Sequence, residues 1–254
     1  MRQFAKLGHG VLRRWHRAEV RGLDALPPGP VLFVGNHNAA TATPDTWIAL
    51  GALHAAHGVD GVPFGLAHAV VMRAPLLGSL MTRLGAVPAC HEQALELLEA
   101  GRSVLVYPGG DAEAMRPYRD RDRLRFSGRQ GYIRLALRAG VPIVPLVAAG
   151  AHASLFILSD LAWLARRLGT DRRFRLGVFP IALSLPWGLT VGPLPPYLPW
   201  PSRILIEALP AIQLARTGPE AAADPAWVDA CARQVETTMQ DALTRLAAER
   251  ATLG

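Results

Sequence analysis

The sequence predicts an α/β fold, a largely parallel central sheet flanked by helices, with an N-terminal amphipathic helix in front of it. Three observations carry this. Short apolar runs (Val31 to Gly35, Ser103 to Tyr107, Val141 to Val147) read as strands buried on both faces. Stretches with helical punctuation stand between them. A chain of 254 residues is long enough to bury one large core.

The elements follow in chain order. Phe4, Leu7, Val11, Leu12 and Trp15 fall at helical spacing with arginines between them, so residues 1–25 read as an amphipathic helix. Such a helix lies on a lipid surface or packs on its own domain, and both readings stand. Leu26 to Pro30 ends it and opens one continuous domain, residues 26–254. Thr43 is a natural N-cap and Pro44 a natural first residue for a helix running to His57. A strand is expected near Phe64 to Met72, a short helix at Pro75 to Leu84, and a short strand at Gly85 to Ala89. His91 to Ala100 is helical, as is the stretch from Ser127 or Gly128 to Arg138. Leu155 to Leu168 reads as a strongly apolar helix, Arg203 to Ile212 as a strand, and Asp224 to Arg250 as a final amphipathic helix.

Leu176 to Ser202 carries no charged residue. It is long enough to span a bilayer, but prolines at 180, 186, 193, 195, 196, 199 and 201 forbid a regular helix. It therefore reads as strands and loops. Trp187, Tyr197 and Trp200 are available to a bilayer interface; a buried, proline-rich crossover is the alternative. Arg166, Arg167, Arg172, Arg173 and Arg175 just before it are placed to meet lipid phosphates.

The net charge is +7, and all the cationic residues but Lys6 are arginine. Nucleic-acid binders share that sign but are usually polar, whereas here half the residues are hydrophobic and mean hydropathy is +0.19. Basic and apolar together favour an anionic membrane surface as partner and rank nucleic acid last. Cys90 and Cys231 fit no metal or disulfide spacing, which points to a reducing, cytoplasmic compartment. His54 and His57 lack a third ligand, and no metal site is expected. Neither a phosphate-binding loop ending in Gly-Lys-Ser/Thr nor a Gly-x-Ser-x-Gly elbow occurs, which disfavours a serine hydrolase.

The chemistry-bearing pattern is Gly35-Asn36-His37 followed, after seven residues, by Asp45. A histidine ends a buried strand, and an aspartate stands in the first turn of the next helix. One imidazole nitrogen held by the carboxylate leaves the other free as a general base for a hydroxyl. From spacing alone a second reading stands: a structural histidine, and an aspartate that serves the helix N-terminus. Downstream, Gly109 and Gly110 allow close backbone approach, Asp111 and Glu113 offer acceptors for hydroxyls, and Arg116 and Arg129 offer donors for phosphate.

Strand-Asn-His-loop-Asp resembles the opening motif of the glycerolipid acyltransferase superfamily, which includes the lysophosphatidate acyltransferases. The usual loop has four residues; this one has seven. Ala74 to Gly78 and Leu84 to Pro88 are similar to the second block, with His91 where an arginine is usual. Val106-Tyr107-Pro108-Gly109-Gly110-Asp111 is similar to the third, with Gly109 in place of its glutamate, and Val141 to Pro145 matches the fourth. Pro108 to Ala114 and Arg129 to Ala136 also resemble segments of the second diacylglycerol acyltransferase family.

The resemblance implies a glycerophospholipid acyltransferase-like fold and an O-acyltransferase. It would use acyl-CoA or acyl-carrier protein as co-substrate and no cofactor, with His37 and Asp45 catalytic and the third-block residues binding substrate. The acceptor implied by default is a lysophosphatidate, in phospholipid biosynthesis at the cytoplasmic face of a membrane. The missing second-block arginine and third-block glutamate favour a mono- or diacylglycerol instead. The long loop is the feature that would favour a catalytically weak, lipid-binding homologue.

Overall fold

The computed structural model describes residues 8–73, 75–169, 177–192 and 194–253. Among these residues ten strands form two sheets. The strands are β1 (Glu19–Arg21), β2 (Leu32–Gly35), β3 (Phe64–Ala67), β4 (Ala86–Pro88), β5 (Val104–Val106), β6 (Ile143–Ala149), β7 (Phe156–Ser159), β8 (Ile181–Ser184), β9 (Gly188–Val191) and β10 (Leu205–Ala208). The main sheet runs β1-β10-β6-β2-β5-β3-β4. Its β6-β2-β5-β3-β4 portion is parallel throughout, as the apolar runs predict. Strand β10 pairs antiparallel with β6, and β1 parallel with β10. The smaller sheet, β7-β8-β9, is antiparallel.

The principal helices are α1 (Pro44–His57), α2 (His91–Glu99), α3 (Gly131–Ala139), α4 (Ala162–Leu168) and α5 (Pro225–Thr252). Strand alternation sorts the main sheet's side chains into two cores. Leu32, Val34, Ile143 and Val147 meet α3 and α5 through Ile133, Leu137, Val235 and Leu243. Phe33, Leu105, Val144 and Leu146 meet α1 through Ile48 and Leu53 on the opposite face. Asp224 caps α5 by accepting from the backbone N–H groups of Ala226 and Trp227, and Pro225 takes the first helical position.

The structure corrects several expected elements. Residues 1–25 are not one helix: Gly8–Leu12 and Arg13–Trp15 are helical, but Glu19–Arg21 is a strand that extends the main sheet. Phe4 and Leu7, which would complete the apolar stripe, lie outside the described residues, as do Arg172, Arg173 and Arg175. Leu155 to Leu168 is a strand followed by a helix. Phe156, Ile157 and Leu158 alternate out, in, out, a period-2 pattern that a short apolar run hides. The strand expected from Phe64 to Met72 ends at Ala67 and gives way to a helical turn, Ala69–Arg73. Thr43 does precede α1, but with φ 36° and no side-chain cap.

Candidate active site

Strands β6, β2 and β5 are adjacent and parallel, so their carboxyl ends open side by side, where ligands of open α/β sheets bind. Past β2 comes Asn36-His37, past β5 Tyr107 to Gly110, and past β6 Gly150 to His152. Asn36 extends the β2–β6 ladder with its side chain. Its Nδ2 donates to the Ala148 carbonyl at 2.9 Å, and its Oδ1 accepts from the Ala148 N–H at 2.8 Å. That fixes where the chain leaves the sheet.

His37 is held through its main chain. Its N–H donates to Glu113 Oε2 at 2.9 Å, and its carbonyl accepts from Arg116 Nη1 at 2.7 Å. Glu113 and Arg116 are themselves fully buried. The Glu113 carboxylate also accepts from the Arg125 N–H at 3.1 Å. All five guanidinium donors of Arg116 are engaged, by the carbonyls of His37, Glu113, Asp120 and Arg121 and by Asn38 Oδ1. Each charge supports the other in a dry setting, while burial pushes the Glu113 carboxyl up and the Arg116 guanidinium down from their usual ranges. Neither side chain is exposed. The sequence leads one to expect both at substrate; in the structure both are buried and bond to the His37 main chain.

The seven-residue loop still closes. Asn38 Nδ2 donates to Asp45 Oδ2 at 2.8 Å, so the two ends of the loop meet. The intervening residues fold into a turn in which the Ala42 N–H donates to the Ala39 carbonyl at 3.1 Å. Ala39, Ala40 and Thr43 take left-handed conformations, at φ 51°, 44° and 36°. Such strain, of order 1 kcal/mol or more per residue, persists only where the surroundings enforce it. They do so here. Tyr197 donates to the Ala39 carbonyl, the Ala40 N–H donates to the Ala114 carbonyl, and the Ala39 N–H donates to His152 Nδ1.

The His37 ring is half-buried and lies against Tyr107, ring centroids 4.8 Å apart. Gly35 makes room for that contact: a Cβ there would come within 2.4 Å of the Tyr107 ring. No hydrogen bond joins His37 to Asp45. His37 Nδ1 and Asp45 Oδ1 are both buried and without partners. Burial, then the positive charge of Arg116, pushes His37 down to about 4. Burial pushes Asp45 up to about 6 against the Asn38 hydrogen bond. At neutral pH the pair is therefore a neutral imidazole and a carboxylate, the protonation states a general base and its orienting acid require.

Asp111 is near enough for its charge to act on His37, and it accepts from the Gly177 N–H at 2.6 Å. Arg129 is half-exposed; its Nη1 donates to the carbonyls of Pro108 and Gly109, and its Nη2 lies 3.5 Å from Asp111 Oδ1. The Gly-Gly pair serves these neighbours. A Cβ on Gly109 would meet Glu113 Oε2 at 2.3 Å and the Arg125 carbonyl at 2.6 Å; one on Gly110, at φ 53°, would meet Arg129 Nη1 at 2.4 Å. The Gly110 N–H is taken by the Tyr107 carbonyl. So the structure gathers His37, Asp45, Asp111 and Arg129 around the strand ends, with Glu113 and Arg116 beneath. The supporting roles of Asn38, Tyr107, His152 and Tyr197 were not read from sequence. Asn38, beside the motif, and Tyr107, inside the third block, had a local signal; His152 and Tyr197 lie outside the motifs and had none.

The family model described as Acyltransferase matches residues 17–149, which contain every one of these residues except Gly150 to His152, Gly177 and Tyr197. The chain belongs to the acyltransferase family. An uncharacterized protein of Mycobacterium tuberculosis is 32% identical over 239 residues, covering 94% of this chain and 64% of that protein. This acyltransferase-family chain thus spans just under two thirds of that relative. The "DGAT1/2-independent enzyme synthesizing storage lipids" of Bos taurus is 27% identical over 140 residues, 55% of this chain and 40% of that enzyme. Among solved structures, the 1-acyl-sn-glycerophosphate acyltransferase of Thermotoga maritima shares the fold, with a TM-score of 0.57, 15% identity, and coverage of 96% of this chain and 78% of that one.

Proposed function

We propose that this acyltransferase moves a fatty acyl group from a thioester, acyl-CoA or acyl-carrier protein, to a glycerolipid hydroxyl at a membrane surface. One observation carries the reading: a neutral histidine, held by its main chain at the carboxyl end of β2, shares a buried network with the Asp45 carboxylate through Arg116 and Asn38. His37 Nδ1 is buried, so Nε2 is the nitrogen that meets substrate. Nε2 takes the acceptor's hydroxyl proton as the oxygen attacks the thioester carbonyl. The tetrahedral intermediate collapses, the carbon–sulfur bond breaks, and the leaving thiolate takes the proton from His37. Asp45 Oδ1 closes on Nδ1–H as positive charge develops on the ring. Such bonds are often long in unliganded enzymes and tighten in the reacting complex.

The default acceptor is a lysophosphatidate, with Arg129 as the phosphate partner. A second reading, an uncharged mono- or diacylglycerol, is favoured by the burial of Arg116, which withdraws one of the two arginines expected at phosphate. The test is thiol release from palmitoyl-CoA or acyl-carrier protein in detergent, against lysophosphatidate, monoacylglycerol and diacylglycerol, with His37→Ala in parallel. Acceptor-dependent release that disappears in the variant supports the reading and names the acceptor. Release that no acceptor stimulates, from a protein that still binds lipid, would replace it with a lipid-binding role.

A further inference from the structure

The three-stranded sheet has two unlike faces, produced by the alternation of its strands. Ile157 and Ala182, paired across β7 and β8, are fully buried and pack on Ala39 and Ala40 of the loop between His37 and Asp45. The neighbouring register points the other way. Phe156 pairs with Leu183, and Leu183 with Leu189, so one apolar row crosses all three strands. These residues and Val191 are 38%, 42%, 63% and 59% exposed, although all four are large and apolar. A contiguous apolar face of this kind on a folded chain marks a place of contact with something else.

Its surroundings indicate what. Three exposed indoles border the face: Trp187 in the β8–β9 turn, Trp163 on α4, and Trp200. Trp187 is steadied through its ring N–H on the Pro196 carbonyl, and Trp15 likewise on Pro199 beside Trp200. No charged residue occurs from Gly177 to Ser202. Charge appears at the border, and its most exposed members there are cationic: Arg14 and Arg17 flank Trp15, Arg167 lies on α4, and Arg119, 3.7 Å from the less exposed Asp120, follows Tyr118, whose ring lies 4.4 Å from Phe156. Asp160 at the end of β7 is already paired with Arg125. An apolar, charge-free centre, a ring of indoles and an arginine border match hydrocarbon, interface and anionic headgroups in that order.

We infer that the outward face of β7-β8-β9 is the surface by which this protein seats on an anionic lipid bilayer. The inference deepens the proposed function, resting on its placement of the enzyme at a membrane, and names the element that does the seating. Since Tyr197 and the inner face of the same sheet hold the Ala39–Ala42 turn, seating brings the His37 loop to the surface where acyl lipids reside.

The test uses the full chain and separates binding from catalysis. Partition onto phosphatidylglycerol–phosphatidylcholine vesicles is measured by co-sedimentation for wild type and for Leu183→Gln/Leu189→Gln. Both positions are exposed, and a matching melting temperature confirms the variant is folded. The variant's partition coefficient should fall roughly tenfold, and wild-type binding should weaken with salt and with loss of phosphatidylglycerol. Hydrogen exchange on vesicle addition provides a readout independent of mutation: protection should gather in residues 155–200. Equal binding of variant and wild type, no binding by either, or protection confined elsewhere would overturn the inference. So would a self-associated wild type that the double substitution turns to monomer with vesicle binding unchanged; the face would then join two copies. Failure of acyl transfer with intact, sheet-dependent vesicle binding would reject the proposed function and leave this inference standing.

Discussion

Replacing Asp45 by asparagine should make the protein more stable while removing most of its activity. Asp45 is 4% exposed, and burial raises it from the ordinary 3.8 to about 6. That interval corresponds to ~3 kcal/mol of cost for holding the carboxylate at pH 8. The raised value means the folded protein holds the proton more tightly than the unfolded chain. The cost is therefore absent below about pH 4, grows as pH rises, and is complete above about 6. Asparagine keeps an oxygen for Asn38 Nδ2 but puts an NH₂ where Oδ1 now lacks a partner, which returns ~1 kcal/mol. The net gain is ~2 kcal/mol, or roughly 4–8 °C in melting temperature for a chain of this size. Thermal melts at pH 8 and pH 4.5 check it: the gain should be present at the first and nearly gone at the second. Acyl transfer should fall by roughly 100-fold or more, because a neutral amide does not support an imidazolium. A variant less stable at pH 8, or one whose difference from wild type ignores pH, would show that the carboxylate is well solvated and refute the burial argument.

Three further outcomes follow from the same geometry. Activity should rise with pH along one limb near 6, set by Asp45, since His37 stays neutral down to about 4; the residual rate of Asp45→Asn should be flat from roughly pH 5.5 to 8. Arg116→Met should cost on the order of 3–5 kcal/mol in chemical denaturation, because it strands the buried Glu113 carboxylate and the carbonyl of His37. Gly109→Ala should lower both melting temperature and turnover, since its Cβ collides with Glu113 and the backbone of Arg125, the supports of the His37 N–H.

The parallel core of the sheet was legible because strands buried on both faces need unbroken apolar runs, and β2, β5 and β6 have them. The placement of His37 at a strand end and of Asp45 in the first turn of the next helix was legible because the apolar run stops at Gly35 and Pro44 opens a helix. Other features were not. Glu19 to Arg21 is polar and pairs as an edge strand, so nothing in its composition announces a sheet. The outward residues of β7 are apolar for a reason outside the fold, and they disguised the alternation that would have identified a strand. Glu113 and Arg116 read as ligands of substrate because charge in a glycine-rich loop normally faces water. Their burial depends on the His37 backbone arriving from 76 and 79 residues away, which no local pattern reveals.

The Asn38–Asp45 bond separates two lengths that a sequence motif treats as one. The number of residues between histidine and aspartate measures an arc, whereas the chemistry depends on the chord. Here the arc bulges into a turn that packs on the small sheet and is held by Tyr197, while the Asn38 side chain bridges to Asp45 across its base. The seven-residue arc is therefore compatible with an Asn38–Asp45 bridge across its base. The bulge itself becomes a contact surface, joining the strand-end site to the small sheet through Ala39 and Ala40.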